Sequence, residues 1–389
     1  MSDFAIKADR FVLPGVLRGA GYLSVHDGTF GAWTAEAPAG YEIVDRTGSW
    51  VAPGYVDTHI HGFVDRDVMD CDPDGIDEAS LALAKKGTTS WVPTTLTQPA
   101  GQIESACASV SEAAERRGED FPGARIEGIY LEGPFFTAEH AGAQNPDNMC
   151  DPSVELLCSW QEAAHGLICK SAIAPERAGS ERYCASLKAM GVAVALGHSS
   201  ATCEEGLAAV AAGASLFVHV YNGMSGHHHR EPGLVTAAMI SRGTYAELIC
   251  DGMHVTPAAI DALVRAKGWE HVCVISDCLR CGGMPDGDYT LGDFPVRLQG
   301  GIARLVQKDG SLGNIAGSSA TLAQEVRNLV EWGIVTPEQA IRMATEVPAR
   351  SAGIDDVCGQ MLPGRAADFN VLTQDLSVQE TYLDGRLVR

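Results

Sequence analysis

The residues best able to do chemistry in this chain of 389 residues are histidines and carboxylates that close apolar runs. His59 and His61 end the run 51–61, in Asp57-Thr58-His59-Ile60-His61. Strand residues two apart face the same side, so both imidazoles can converge on one ion. Glu132 ends the run 126–132, His198 follows 192–197, His219 lies in 216–220, and Asp277 follows 272–276. A lone histidine at a strand end is more often a satisfied polar group than a ligand, and His-x-His alone is common. Six such groups, each closing an apolar run, point to a metal centre. Imidazole mixed with carboxylate suits a divalent transition ion such as zinc or iron better than magnesium or calcium. An ion with an open position activates water and polarises a carbonyl, so the chemistry implied is metal-assisted hydrolysis. Asp277, one strand end away, is then the natural general base and later proton donor to the leaving group. Its plainer reading is a strand-end cap or a further ligand.

These groups need a scaffold that gathers strand ends. Apolar runs at 51–61, 90–95, 126–132, 168–174, 192–197, 216–220, 246–250 and 272–276 read as strands. Segments with Ala, Leu or Glu at helical spacing lie between them, among them 104–117, 184–190 and 204–212. Such alternation predicts an α/β protein, a (β/α)8 TIM-like barrel, in which catalytic groups sit at the C-terminal ends of the strands. A doubly wound sheet is the alternative, but no G-x-G-x-x-G opens a helix after the first strand. Short β-like runs at 11–13, 22–25 and 42–44 precede the barrel, and 369–372 and 380–383 follow it around an Asp384-Gly385 turn. The two ends are expected to pair into one small β-sandwich domain of residues 1–52 and 357–389. The barrel domain then spans 53–356.

Composition narrows the partners. With 28 basic and 50 acidic residues the formal charge is −22, which argues against a nucleic-acid or anionic-membrane surface. No apolar run approaches the roughly 18 residues of a membrane span, and the N-terminus carries no signal-peptide pattern. A soluble cytoplasmic protein is the expectation. The 12 cysteines follow no secreted spacing and read as reduced, mostly buried thiols. Cys278-x-x-Cys281 lacks the second pair of a zinc ribbon, so two incidental thiols are the simpler reading; Cys278 beside Asp277 reads as inert rather than as a metal ligand or an oxidisable thiolate.

The chain resembles the amidohydrolase superfamily, and within it the N-acetylglucosamine-6-phosphate deacetylases. The opening Ala52-Pro53-Gly54-Tyr55-Val56-Asp57-Thr58-His59-Ile60-His61-Gly62 and the closing Pro363-Gly364-Arg365-Ala366-Ala367-Asp368 carry the broader likeness. Leu131-Glu132-Gly133-Pro134-Phe135, Gly197-His198-Ser199, 219–224, His228-His229-Arg230-Glu231-Pro232-Gly233, 251–255, Ser276-Asp277 and Ile315-Ala316-Gly317-Ser318 carry the narrower one. The resemblance implies that Glu132, His198 and His219 hold the principal metal and that His59 and His61 hold a second, giving one or two ions per subunit. It implies Asp277 as the acid/base, and His254, Asn222, Gly223 and Ile315 as substrate contacts. It also implies a homodimer in which Arg230 reaches the phosphate in the neighbouring site, a task its planar fork suits. Where the family commonly has a sugar-contacting histidine, this chain has Gln144, which cannot take a proton and leaves the gluco or galacto preference open.

Deacetylation of an N-acetylated amino-sugar phosphate is the leading expectation. The alternatives are an N-acetylgalactosamine-6-phosphate deacetylase or another amidohydrolase acting on a cyclic amide. Members using a carboxylated lysine would want it at the end of strand four, where Lys170 only begins the run. A non-catalytic sugar-phosphate binder would not need the intact ligand set with Asp277.

Overall fold

The computed structural model describes residues 3–118 and 120–389. Its centre is a ring of eight strands: β1 (Tyr55–Ile60), β2 (Thr88–Thr95), β3 (Ile129–Phe135), β4 (Ile168–Ile173), β5 (Ala193–Leu196), β6 (Leu216–Phe217), β7 (Tyr245–Leu248) and β8 (Val272–Val274). Neighbours pair in parallel and in chain order from β1 to β8. The ring closes just past the strand ends, where Asp277 N–H donates to the His59 carbonyl at 2.9 Å and Ile60 bridges Cys278 in parallel. The α/β barrel is thus as expected. Each β-strand is followed by helix, such as Ala100–Arg116, Ser180–Ala189 and Cys203–Ala212, whose apolar faces cover the barrel.

Most strand bounds shift by a few residues from the sequence reading, the third running from Ile129 to Phe135 so that Glu132 lies inside it, and two further differences change the path of the chain. The run 51–61 is two strands: Glu42–Pro53 belongs to another sheet, and the break at Gly54 starts β1. A Cβ on Gly54 would lie 2.0 Å from Thr89 Oγ1, so only glycine lets the chain pass. The ladder of the sixth strand is only Leu216–Phe217, shorter than 216–220, because the chain has left it before it turns at Tyr221, whose φ is 85°.

The chain ends do meet. Phe4–Leu13, Gly21–His26, Thr29–Thr34 and Glu42–Pro53 form one sheet with Phe369–Leu372, Val378–Leu383 and Arg386–Leu387. Asp384 and Gly385 take positive φ at its last hairpin, as a two-residue turn requires. This sheet buries its own apolar cluster, in which the Phe369 and Tyr382 rings stack 4.4 Å apart. A further antiparallel sheet, absent from the sequence reading, inserts after β8: Gly287–Leu291, Phe294–Gln299, Ile302–Val306 and Leu312–Ile315. No helix among the described residues is long and apolar enough to cross a membrane.

Candidate active site

Five strand ends deliver the polar groups. His59 and His61 come from β1, Glu132 lies within β3, and His198, His219 and Asp277 stand two or three residues beyond β5, β6 and β8. All six are buried. His198 and Asp277 both have φ of 47°, in the left-handed region that non-glycine residues rarely occupy, so the chain turns sharply where it presents them. Gly133, directly after Glu132, has φ of 98°, and a Cβ there would lie 2.0 Å from Thr97 Oγ1.

Glu132 is the hub. Its Oε1 lies 3.1 Å from His219 Nε2, 3.3 Å from His198 Nε2 and 3.4 Å from His59 Nε2. Its Oε2 lies 3.2 Å from His61 Nε2. Asp277 Oδ1 faces the same pair from β1, 3.3 Å from His61 Nε2 and 3.6 Å from His59 Nε2. Two groups of possible ligands result, His59 with His61 and Asp277, and Glu132 with His198 and His219.

The other ring nitrogens explain the orientation. His59 Nδ1 meets Glu247 Oε2 at 3.0 Å, and His61 Nδ1 meets the Thr94 carbonyl at 3.2 Å. His198 Nδ1 meets the His140 carbonyl at 2.9 Å, and His219 Nδ1 meets the Asn222 carbonyl at 3.2 Å. An acceptor at each Nδ1 selects the tautomer with its proton there and leaves each Nε2 lone pair aimed inward. Among the described residues His59 Nε2 is buried without a hydrogen-bond partner. Four inward lone pairs, one orphaned, around two carboxylates fit a divalent cation.

Without an ion the same groups share protons. Burial disfavours charge on His59, but Glu132, Glu247 and Asp277 outweigh it and push its pKa up to about 9. His61 is raised well above its ordinary value against the same burial, by Asp277 and Glu132. Burial works against the ionised Glu132 and Asp277 too, yet the surrounding histidines hold both below the ordinary carboxylate range.

Glu247 was invisible as a functional residue in the sequence, although a carboxylate in the apolar run 246–250 was the available signal. It forms a buried ion pair with Lys170 Nζ, which also donates to the Thr58 carbonyl at 3.0 Å and sits 4.1 Å from the Tyr130 ring. Lys170 is therefore committed as an ammonium partner of Glu247, inside β4 rather than at its end.

A cavity of about 410 Å³ opens over this centre. Gln144, Asn222, Gly223, His254 and Ile315 line it, together with His61, Glu132, His198, His219 and Asp277. Gln144 is already engaged: its Nε2 donates to Glu132 Oε2 at 2.5 Å, and its Oε1 accepts from Thr97 N–H at 2.7 Å. His254 Nδ1 meets Asp251 Oδ2 at 2.7 Å, while its Nε2 and Asn222 Nδ2 are buried without partners among the described residues. Within one chain, Arg230 does not join this group. It is exposed beside His229 Nε2, 2.8 Å away. The cavity also takes Arg304 and Asn314 from the inserted sheet, which the sequence reading did not single out. Cys278 and Cys281 are free and buried, and burial raises both thiols, Cys281 to about 11.

A strand-ring barrel with paired His, Glu and Asp groups at its C-terminal mouth defines a hydrolase of the amidohydrolase type. The Amidohydrolase family model matches residues 50–388, and the chain belongs to that family. Among curated relatives it is similar to the N-acetylgalactosamine-6-phosphate deacetylase of Escherichia coli O157:H7, 39% identical over 92% of each chain. It is also similar to the N-acetylglucosamine-6-phosphate deacetylase of Vibrio furnissii, 40% identical over 86% of this chain and 82% of that one. Among solved structures it superposes on a mutant N-acetyl-D-glucosamine-6-phosphate deacetylase from Mycobacterium smegmatis, in complex with N-acetyl-D-glucosamine-6-phosphate. The TM-score is 0.93 and the identity 30%, over 100% of both chains.

Proposed function

We propose that this chain hydrolyses the acetamide of N-acetylglucosamine 6-phosphate, giving glucosamine 6-phosphate and acetate. The observation that carries the reading is the set of four histidines, each locked at Nδ1 and aimed through Nε2 at Glu132, beneath a cavity of sugar-phosphate size. Glu132, His198 and His219 would hold one divalent transition ion, zinc or iron, and His59 and His61 a second. Such ions supply Lewis acidity and a reactive water.

The chain's own groups do the rest. Asp277 takes a proton from the attacking water and returns it to the departing nitrogen, so the C–N bond breaks as the amine leaves neutral. Its Oδ1 lies 3.3 Å from His61 Nε2 and 3.6 Å from His59 Nε2, which sets the carboxylate beside the second proposed ion and the water it would activate. Asn222 Nδ2 and His254 Nε2, both without partners among the described residues, are the polar atoms that orient the sugar phosphate, with the Gly223 and Ile315 backbone beside them. Gly223 has φ of 59°, and a side chain there would press on His198 Nδ1 at 3.0 Å.

The reading extends to assembly and location: a cytoplasmic homodimer whose Arg230 reaches the neighbouring site, with residues 1–52 and 357–389 as one domain and 53–356 as the other. The separate apolar cluster of the terminal sheet supports that division. Acetate release by purified, metal-analysed protein tests the activity. No release from any N-acetylhexosamine 6-phosphate would refute it.

A further inference from the structure

Among the described residues that line the cavity, Arg304 is the only lysine or arginine. It stands on the strand Ile302–Val306, opposite Ile315 of the neighbouring strand, and both residues face into the cavity wall. One of its guanidinium nitrogens, Nη1, donates to the Gly313 carbonyl at 3.1 Å. That bond pins the side chain against the sheet. Among the described residues it has no carboxylate partner, so a half-buried guanidinium with spare N–H donors borders a substrate cavity without a counterion. Two other arginines before and within the inserted sheet have carboxylate partners: Arg280 binds Asp65 and Asp70, and Arg297 binds Asp288.

We propose that Arg304 reads the anionic end of the substrate, donating to the phosphate monoester from within the same chain. The inference rests on the deacetylase reading above and deepens it, since it assigns phosphate recognition to the inserted sheet of each subunit. A planar fork anchored at one nitrogen keeps its remaining donors preset for phosphate oxygens. The sheet then has a function: it carries a charge over the metal groups that the barrel strands, rich in carboxylates and imidazoles, do not supply. The assignment holds whether or not a neighbouring subunit adds Arg230.

The test compares N-acetylglucosamine 6-phosphate with unphosphorylated N-acetylglucosamine in wild type, R304A and R304K. R304A is expected to raise KM for the phosphorylated sugar by about tenfold to a hundredfold, with kcat little changed. KM for the unphosphorylated sugar should stay the same, and R304K should recover part of the loss. An equal change on both sugars, or none on either, would overturn the proposal. If wild type releases acetate from neither sugar, the deacetylase reading fails by itself, and calorimetry with glucose 6-phosphate and glucose decides for Arg304. Weaker binding of the phosphate alone in R304A supports the assignment there, and equal binding by both proteins overturns it.

Discussion

Glu247 Oε2 lies 3.0 Å from His59 Nδ1, and the same carboxylate is ion-paired with Lys170 inside the barrel. The pair is fully buried, so a charge on either side would be costly alone. Its effect is to fix the proton of His59 on Nδ1 and turn Nε2 toward Glu132 and Asp277.

From this, Glu247→Gln is expected to weaken binding of the ion proposed at His59 and His61 by about tenfold to a hundredfold, as loss of an outer hydrogen-bond partner does. It should also lower the melting temperature, because Lys170 loses its counterion. The double variant K170M/E247Q should regain thermal stability without regaining the ion. Calorimetric metal titration alongside thermal melts separates the two effects, and unchanged affinity in E247Q would remove the orienting role.

Asp277→Asn keeps the size of the side chain and removes the base. We expect kcat to fall by about a hundredfold to ten-thousandfold, the range of general acid–base contributions, with metal still bound at Glu132, His198 and His219. Elemental analysis with steady-state kinetics measures both. Full turnover in D277N would refute the assigned role.

Gln144 bridges Glu132 and the Thr97 amide, which ties it to the proposed metal ligands more than to a sugar. Gln144→Ala should therefore lower metal affinity and kcat together while the ratio of activities on the gluco and galacto epimers holds. A changed ratio with intact metal binding would return Gln144 to sugar recognition.

Lys267 gives a pH dependence away from the active site. Burial depresses its pKa from 10.5 to about 8, and its Nζ has the Ser241 carbonyl and Thr244 hydroxyl as neutral partners, each at 2.6 Å. Between pH 8 and 10.5 the unfolded chain binds more protons at this site than the folded one, so this contribution to stability rises with pH. Below pH 8 the charged, buried ammonium is a constant cost. Denaturant unfolding of wild type and K267M across pH 7–10.5 should show wild type gaining on the variant as pH rises. A constant difference would contradict the depressed pKa.

The barrel was readable because buried parallel strands and amphipathic helices alternate in composition, and the candidate ligands because they stand at strand ends in otherwise apolar runs. His59, His61, Glu132, His198, His219 and Asp277 were visible for that reason. The family likeness added His254 and Gln144, whose spacing alone says nothing. Glu247 and Lys170 escaped because each is one charged residue in an apolar strand, and its partner lies 77 positions away in the chain. The inserted sheet escaped too: its strands are short and half-exposed, so no strong period marks 287–315. Arg304 looks like any surface arginine until the fold sets it beside Ile315.

The central claim is tested most directly by acetate release from N-acetylglucosamine 6-phosphate, with N-acetylgalactosamine 6-phosphate alongside, using protein of measured metal content. Stoichiometric acetate and glucosamine 6-phosphate are expected, lost on chelation and restored by zinc or iron. Metal-loaded, folded protein that releases no acetate from either sugar phosphate would contradict it.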